Sequence, residues 1–209
     1  MTVGEFVLVV IVLLVVALAV WGGVRLIQRN RQSHDTRQGG AEKPVDPFGT
    51  GDVDALRGDP RQLQAGAIVE IRGHDYTVRG SLRLNEEGWS WDEHFLDDAQ
   101  GKRIWLSVEE DPELELVLFT ALPDAEVRPG KSIEWEGRNY RRTESGTARY
   151  TTEGTTGLDD GGTVHYQDYV SDDDSRLALE AYGDNGKWEA SRGEVLSRYE
   201  VRIFPASMD

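Results

Sequence analysis

The chain has 209 residues, 23 Lys and Arg against 38 Asp and Glu, a net charge of −15 and no cysteine. Without cysteine it can form neither a disulfide nor a thiolate-ligated zinc site. Residues 60–209 hold 17 Lys and Arg against 31 Asp and Glu, a net −14; nucleic acid and anionic lipid headgroups are therefore excluded as direct partners of that part, while a basic protein, a polyamine or a divalent cation fits the sign.

Residues 1–27 form the first element. Phe6 to Val24 is uncharged and nearly all aliphatic, with Trp21 near its far end. A run of that length matches a bilayer core of roughly 30 Å at 1.5 Å per helical residue, and a helix pairs every backbone group within the segment. Ala17-Leu18-Ala19 imitates a signal-peptide cleavage site, but Met1 to Glu5 has no basic residue and the apolar run continues past Ala19, which favours a retained transmembrane helix. Arg25, Arg29, Arg31 and Arg37 follow the span, whereas Glu5 precedes it. By the positive-inside rule the N-terminus lies outside and the rest of the chain in the cytoplasm, a single-pass protein of the cell membrane.

Residues 28–58 read as a flexible tether: Pro44, Pro47, Gly49 and Gly51 break regular structure and large apolar residues are few. From residue 59 to 209 the pattern is mainly β. Val69, Ile71, Tyr76 and Val78 flank the turn signal Arg72-Gly73-His74-Asp75, which predicts a hairpin. Leu114, Leu116 and Leu118 share one face of the next clear strand while Glu113 and Glu115 take the other. The Thr- and Gly-rich stretch from Thr147 to Thr163 reads as a flexible connector.

The pattern also repeats. Gly66, Val69, Glu70, Ile71, Gly73 and Tyr76 recur 64 residues later as Gly130, Ile133, Glu134, Trp135, Gly137 and Tyr140. Trp91 to Leu96 is echoed by His165 to Val170, and Leu106 to Glu109 by Leu177 to Glu180. Two tandem β-modules, about 63–122 and 127–205, are expected, packed as a sandwich or closed as a barrel.

No catalytic, cofactor or metal motif can be assembled from this sequence. His34, His74, His94 and His165 lack zinc-ligand spacing, the Asp172-Asp173-Asp174 run lacks the form of a calcium loop, and no phosphate-cradling loop follows a strand. A non-enzyme is therefore expected, without a cofactor. One pattern does point to a ligand. Trp91 with Glu93, and Trp105 with Glu109, place a ring and a carboxylate on one strand face at even spacing. Aromatic walls with carboxylates suit an amine or polyamine through cation–π attraction and ion pairing.

Leu63-x-x-Gly66-x-x-Val69, Tyr76-x-Val78-x-Gly80, Trp91-x-Glu93-x-x-Leu96 and Trp105-Leu106-x-Val108-Glu109-Glu110 together resemble the domain of unknown function 4178 family, over residues 59–205. The resemblance implies a bacterial, actinobacterial-type protein with one N-terminal span, in genomic company that includes polyamine-synthase-like and membrane-stress genes. It implies no activity and no catalytic residues. The second module departs from the motif, with His165 and Arg176 read at the places of Trp91 and Trp105, so the first module is the expected binding half. The leading expectation is a membrane-tethered binding or scaffolding module that meets other membrane proteins. A polyamine or cation sensor with a pocket of Trp91, Glu93, Trp105 and Glu109 is the second, and an enzyme of unknown class the third. A reporter fused after Asp209 that works only in the cytoplasm is the expected outcome for the orientation; activity of an exterior-only reporter there would reverse it.

Overall fold

The computed structural model describes residues 56–206 apart from Ala99 and Asn185. The span and most of the tether lie outside the described residues, and among those described no helix is long and apolar enough to cross a membrane. Eleven strands follow in chain order: β1 (Ile68–Ile71), β2 (His74–Glu86), β3 (Trp89–Asp97), β4 (Ile104–Glu110), β5 (Leu114–Ala121), β6 (Ser132–Trp135), β7 (Arg138–Gly154), β8 (Gly161–Val170), β9 (Arg176–Tyr182), β10 (Glu189–Leu196) and β11 (Val201–Phe204). They make one antiparallel sheet in the order β11-β1-β2-β3-β4-β5-β10-β9-β8-β7-β6.

An added pairing changes its shape. The end of β2 pairs with the end of β7, Gly80 opposite Gly154 through Asn85 opposite Arg149. That contact joins β2-β3-β4-β5-β10-β9-β8-β7 into a closed ring of eight strands. Eight strands enclose an interior just wide enough for side chains or for one small ligand. Closure also removes the sheet edges that each half would otherwise expose.

The two long strands make closure workable. The first residues of β2 pair with β1, then the register shifts between Val78 and Gly80 and the strand turns into the ring. β7 does the same: it pairs first with β6, and its register shifts between Arg142 and Glu144. Both shifts and both hairpins stand 64 residues apart. The turns match as well, Arg72 (φ 53°) with Gly73 (φ 81°) and Glu136 (φ 47°) with Gly137 (φ 76°). Two consecutive positive φ values fit a two-residue turn whose twist suits a hairpin.

Both faces of the ring are covered. Outside β3–β5, the β1–β2 hairpin and β11 bury Val69, Ile71, Val201 and Ile203 against Leu96, Leu106 and Leu116. Outside β8–β10, β6 and the start of β7 bury Ile133 and Tyr140 with Tyr169, Leu177 and Leu179. Inside, Leu82, Leu84, Ala148, Tyr150, Val164 and Tyr166 form a third cluster. Ala148 and Tyr150 sit at alternate positions of β7, so the expected flexible connector from Thr147 is corrected: 147–154 completes a strand, and only residues 155–160 link β7 to β8. Its few apolar residues have period two, which the Thr and Gly content obscured.

The second echo needs a similar correction. The pair Leu96 and Ile104 of β3–β4 moves, by 73 residues, onto Tyr169 and Leu177, which pair in β8–β9. Trp91 and Trp105 thereby correspond to Val164 and Ala178, not to His165 and Arg176. The slip at His165 is one residue, which turns every side chain of that strand to the opposite face, while that at Arg176 is two and keeps the face.

The seam between β2 and β7 admits no side chain on its glycines. A Cβ on Gly80 would stand 2.7 Å from the Glu153 and Thr155 carbonyl oxygens, and one on Gly154 (φ 70°) would stand 2.6 Å from that of Arg79. Arg83 holds the same seam from outside, paired to Asp92 at 2.6 Å and Glu153 at 3.2 Å while donating to the Leu63 carbonyl at 2.6 Å. Gly80→Val should destabilise the domain by more than about 3 kcal/mol, because backbone must move. Gly101→Ala, at φ 80° with nothing within 4 Å, should cost about 1–2 kcal/mol from backbone strain alone. Denaturant unfolding of the two variants measures the difference.

Candidate functional site

The inner face of the ring is only partly filled. Beside the Leu82 and Tyr150 cluster lies a cavity of about 530 Å³, within the range of roughly 300–1,000 Å³ typical of small-molecule sites. Strand alternation decides what lines it. β3 contributes Trp91, Glu93 and Phe95; β4 contributes Trp105, Ser107 and Glu109; β8 contributes Tyr166 and Asp168; β9 contributes Ala178, Glu180 and Tyr182. The intervening residues, such as Leu96, Leu106 and Leu179, face the covering hairpins.

Trp91, Glu93, Trp105 and Glu109, the four residues singled out from the sequence, all line this cavity. Their contacts differ in detail from the expected pairs. Trp91 donates its indole N–H to Glu93 at 3.3 Å and meets Tyr166 edge-on at 5.5 Å between ring centres. Trp105 lies against Phe95 at 5.1 Å, and the donor to Glu109 is Trp89, at 3.0 Å.

What the sequence did not single out is the contribution of the second half. Glu180 accepts from the Tyr182 hydroxyl at 3.0 Å and lines the same cavity as Glu93. Asp168 lies beside them. The first half is the better binding candidate by sequence; in the structure β8 and β9 add Asp168 and Glu180 to the lining that Glu93 and Glu109 share. Glu180 stood in the recognised echo of Glu109, and Tyr166 and Asp168 alternate in β8; the one-residue slip hid their shared face.

Burial is the first cause of the electrostatics here. It pushes the Glu93 carboxyl well above the usual range, with the neighbouring Glu180 and Asp168 adding to the shift. Burial also raises Glu180 and Glu109. Asp168 is pushed up to about 8 by burial and then by the charges of Glu180, Glu144 and Glu109. The Tyr182 hydroxyl is held well above its ordinary value by burial and by Glu180 and Glu93. Two arginines reach the cavity lining and both are engaged, Arg103 with Glu189 at 3.3 Å and Arg176 with Glu115 at 3.3 Å and Asp174 at 2.6 Å. Neither pairs with Glu93, Glu180, Asp168 or Glu109 among the bonds formed by described residues.

The histidines stand elsewhere. His94 is fully buried on the outward face of β3, its Nδ1 sharing a hydrogen bond with Ser81 Oγ at 2.8 Å. Burial pushes it down to about 3, so it stays neutral. His165 meets Thr147 Oγ1 at 2.8 Å outside the ring. His74, His94 and His165 do not line the cavity, and among the described residues no group of His, Asp and Glu has the arrangement of a metal site.

The model of a family described as a domain of unknown function, DUF4178, matches residues 64–198. Uncharacterised proteins of Mycobacterium bovis and Mycobacterium tuberculosis are 39% identical over 153 residues, covering 70% of this chain and 74% of theirs. No solved structure matches.

Asp168 supplies a test of the interior. In the unfolded chain this carboxyl ionises near its ordinary value of 3.8, but in the fold only near 8. Between those values the folded state binds the extra proton, so this group's contribution to stability falls as pH rises from about 4 to 8. Asp168→Asn should therefore melt higher than the parent at pH 8.5, by at least about 3 °C, with the advantage vanishing near pH 4. Thermal unfolding across that range checks it.

Proposed function

Because the chain belongs to the DUF4178 family, which brings no activity with it, we propose from the barrel interior that the domain is a binding protein for an organic ammonium ion, an amine or polyamine. In this reading Phe6 to Val24 tethers the domain to the cell membrane, with the barrel on the cytoplasmic side. One observation carries the proposal: four carboxyl groups, Glu93, Glu109, Asp168 and Glu180, share an aromatic-walled cavity, and among the described residues none of them is paired with a basic side chain. Carboxylates half-withdrawn from water are stabilised by a cationic partner. A ligand carrying the missing positive charge supplies it.

The walls suit the same ligand. The indole and phenol rings of Trp91, Trp105, Tyr166 and Tyr182 offer π faces to a cation and apolar surface to the methylenes between amines. An anion or a phosphate ester would meet repulsion from the carboxylates. Binding rather than acid–base catalysis is the reading favoured here, since the histidines lie outside the cavity. Scaffolding of other membrane proteins remains the expectation raised by the anchor; the cavity favours a small ligand.

Spermidine added to the full chain in a non-ionic detergent should raise the melting temperature with the logarithmic concentration dependence of a ligand specific to the folded state. Trp105→Ala and Glu109→Gln should each weaken the effect about tenfold or more, by losing one wall or one charge. An unchanged melting temperature at millimolar spermidine, putrescine and tetramethylammonium would refute the reading.

A further inference from the structure

Strand register sorts the cavity lining into layers. β4 and β8 alternate with antiparallel neighbours round the ring so that both run toward the same end. Glu93 stands opposite Ser107, and Glu109 is the next inward residue of β4. Glu180 stands opposite Tyr166, and Asp168 is the next inward residue of β8. In each half one carboxyl is therefore two residues beyond the other, about 7 Å along the strand at roughly 3.4 Å per residue. Glu93 and Glu180 make one acidic layer; Glu109 and Asp168 make a second, nearer Trp89.

Rings separate the two layers. Trp91 is one inward step beyond Glu93 and Tyr166 one step short of Asp168, and these rings meet edge-on at 5.5 Å between centres. Each layer is met by its own indole, Trp91 donating to Glu93 at 3.3 Å and Trp89 to Glu109 at 3.0 Å. The open space has a cause in the duplication. At the places of Trp91 and Trp105 the second half carries Val164 and Ala178, and Ala178 lines the cavity. Where a symmetric barrel would set four indoles, this one sets two, and the room of the others stays open.

Carboxyls divided by a ring layer do not converge on one small ion, and among the described residues no group of His, Asp and Glu is arranged to hold a metal. They fit a linear ligand charged at both ends. Building on the ammonium-binding reading, we propose that the cavity selects a linear diamine, or the diamine unit of a polyamine, lying lengthwise. One ammonium meets Glu93 and Glu180, the other Glu109 and Asp168, and the methylenes lie against Trp91 and Tyr166 beside Ala178. With bonds of about 1.5 Å, four or five methylenes hold extended ammonium nitrogens about 6–7.5 Å apart, which matches the layers. Arg103 and Arg176 limit the length. They begin β4 and β9, strands of opposite direction, and so stand at opposite ends of the lining, paired with Glu189 and Glu115. A longer diamine would drive an ammonium toward one of them.

Isothermal titration of the full chain in non-ionic detergent at neutral pH, with butylamine, diaminopropane, putrescine, cadaverine and diaminooctane, reads this spacing. Putrescine and cadaverine should bind about tenfold or more tighter than butylamine, through one further charge-assisted contact, and diaminooctane more weakly than either. Glu93→Gln and Glu109→Gln should each cut the preference for putrescine over butylamine about threefold or more, since butylamine can use the other layer. Ala178→Leu, which fills space beside the rings, should weaken putrescine about tenfold or more without lowering the melting temperature. Equal affinity for butylamine and putrescine, or affinity that climbs steadily through diaminooctane, would overturn the lengthwise diamine and leave the ammonium reading standing. No binding by any of these amines would overturn both. The chain-length series is read on the unaltered protein, so misfolding of a variant does not blunt it.

Discussion

A carboxyl group placed inside a closed barrel must hold a proton, meet a cation or stay hydrated, and the arrangement of this domain follows from that constraint. Glu93 and Glu180 point inward from β3 and β9, strands that the ring places facing the same space. Trp91 donates to Glu93 and Tyr182 to Glu180. Asp168 joins them from β8 with like charges around it. Burial and these like charges favour the protonated form of all three carboxyls.

Such an interior requires an inverted distribution of polarity. In a simple soluble barrel the apolar residues of each strand face inward and the polar ones face water. Here β3 and β4 send Leu96, Ile104, Leu106 and Val108 outward and Glu93, Ser107 and Glu109 inward. The outward residues are kept from water by the β1–β2 hairpin and β11 on one side and by β6 and the start of β7 on the other. Two external apolar clusters thus stabilise the fold and free half of the interior from the need to be a core. Only the Leu82, Leu84, Ala148 and Tyr150 group keeps the ordinary inward apolar packing. The seam glycines serve the same end, since closing the ring brings Gly80 and Gly154 face to face with backbone on both sides.

Much of this was legible in the sequence because it is written in period two. The alternation of Leu114, Leu116 and Leu118 with Glu113 and Glu115 marks the faces of β5, and the Trp91, Glu93, Trp105 and Glu109 set follows from the same rule. Local turn chemistry was legible too, as with Arg72-Gly73. The 64-residue spacing of the hairpins corresponds to matched turns and matched register shifts. What was not legible depends on long-range register. No local signal states that β2 pairs with β7, 70 residues away, or that β5 pairs with β10. The echo in β8 was displaced by one residue, which reversed the faces of His165 and Tyr166 and concealed Asp168. A Thr- and Gly-rich strand such as β7 reads as a loop because its seam role favours small residues over strong strand formers.

The composite nature of the cavity has a consequence for how the two halves depend on each other. Glu93 and Glu109 come from the first half, Asp168 and Glu180 from the second. A single half of five strands would leave these carboxyls facing water, where each would ionise near its ordinary value and hold no proton at neutral pH. The shifted acidity is therefore a property of the closed ring and not of any strand in it. Opening the seam would hydrate the carboxyls, return their protons to solvent and remove the enclosed aromatic walls in one step. Barrel closure and charge balance in the cavity are, on this argument, a single equilibrium: whatever neutralises the interior, proton or cation, also favours the closed ring.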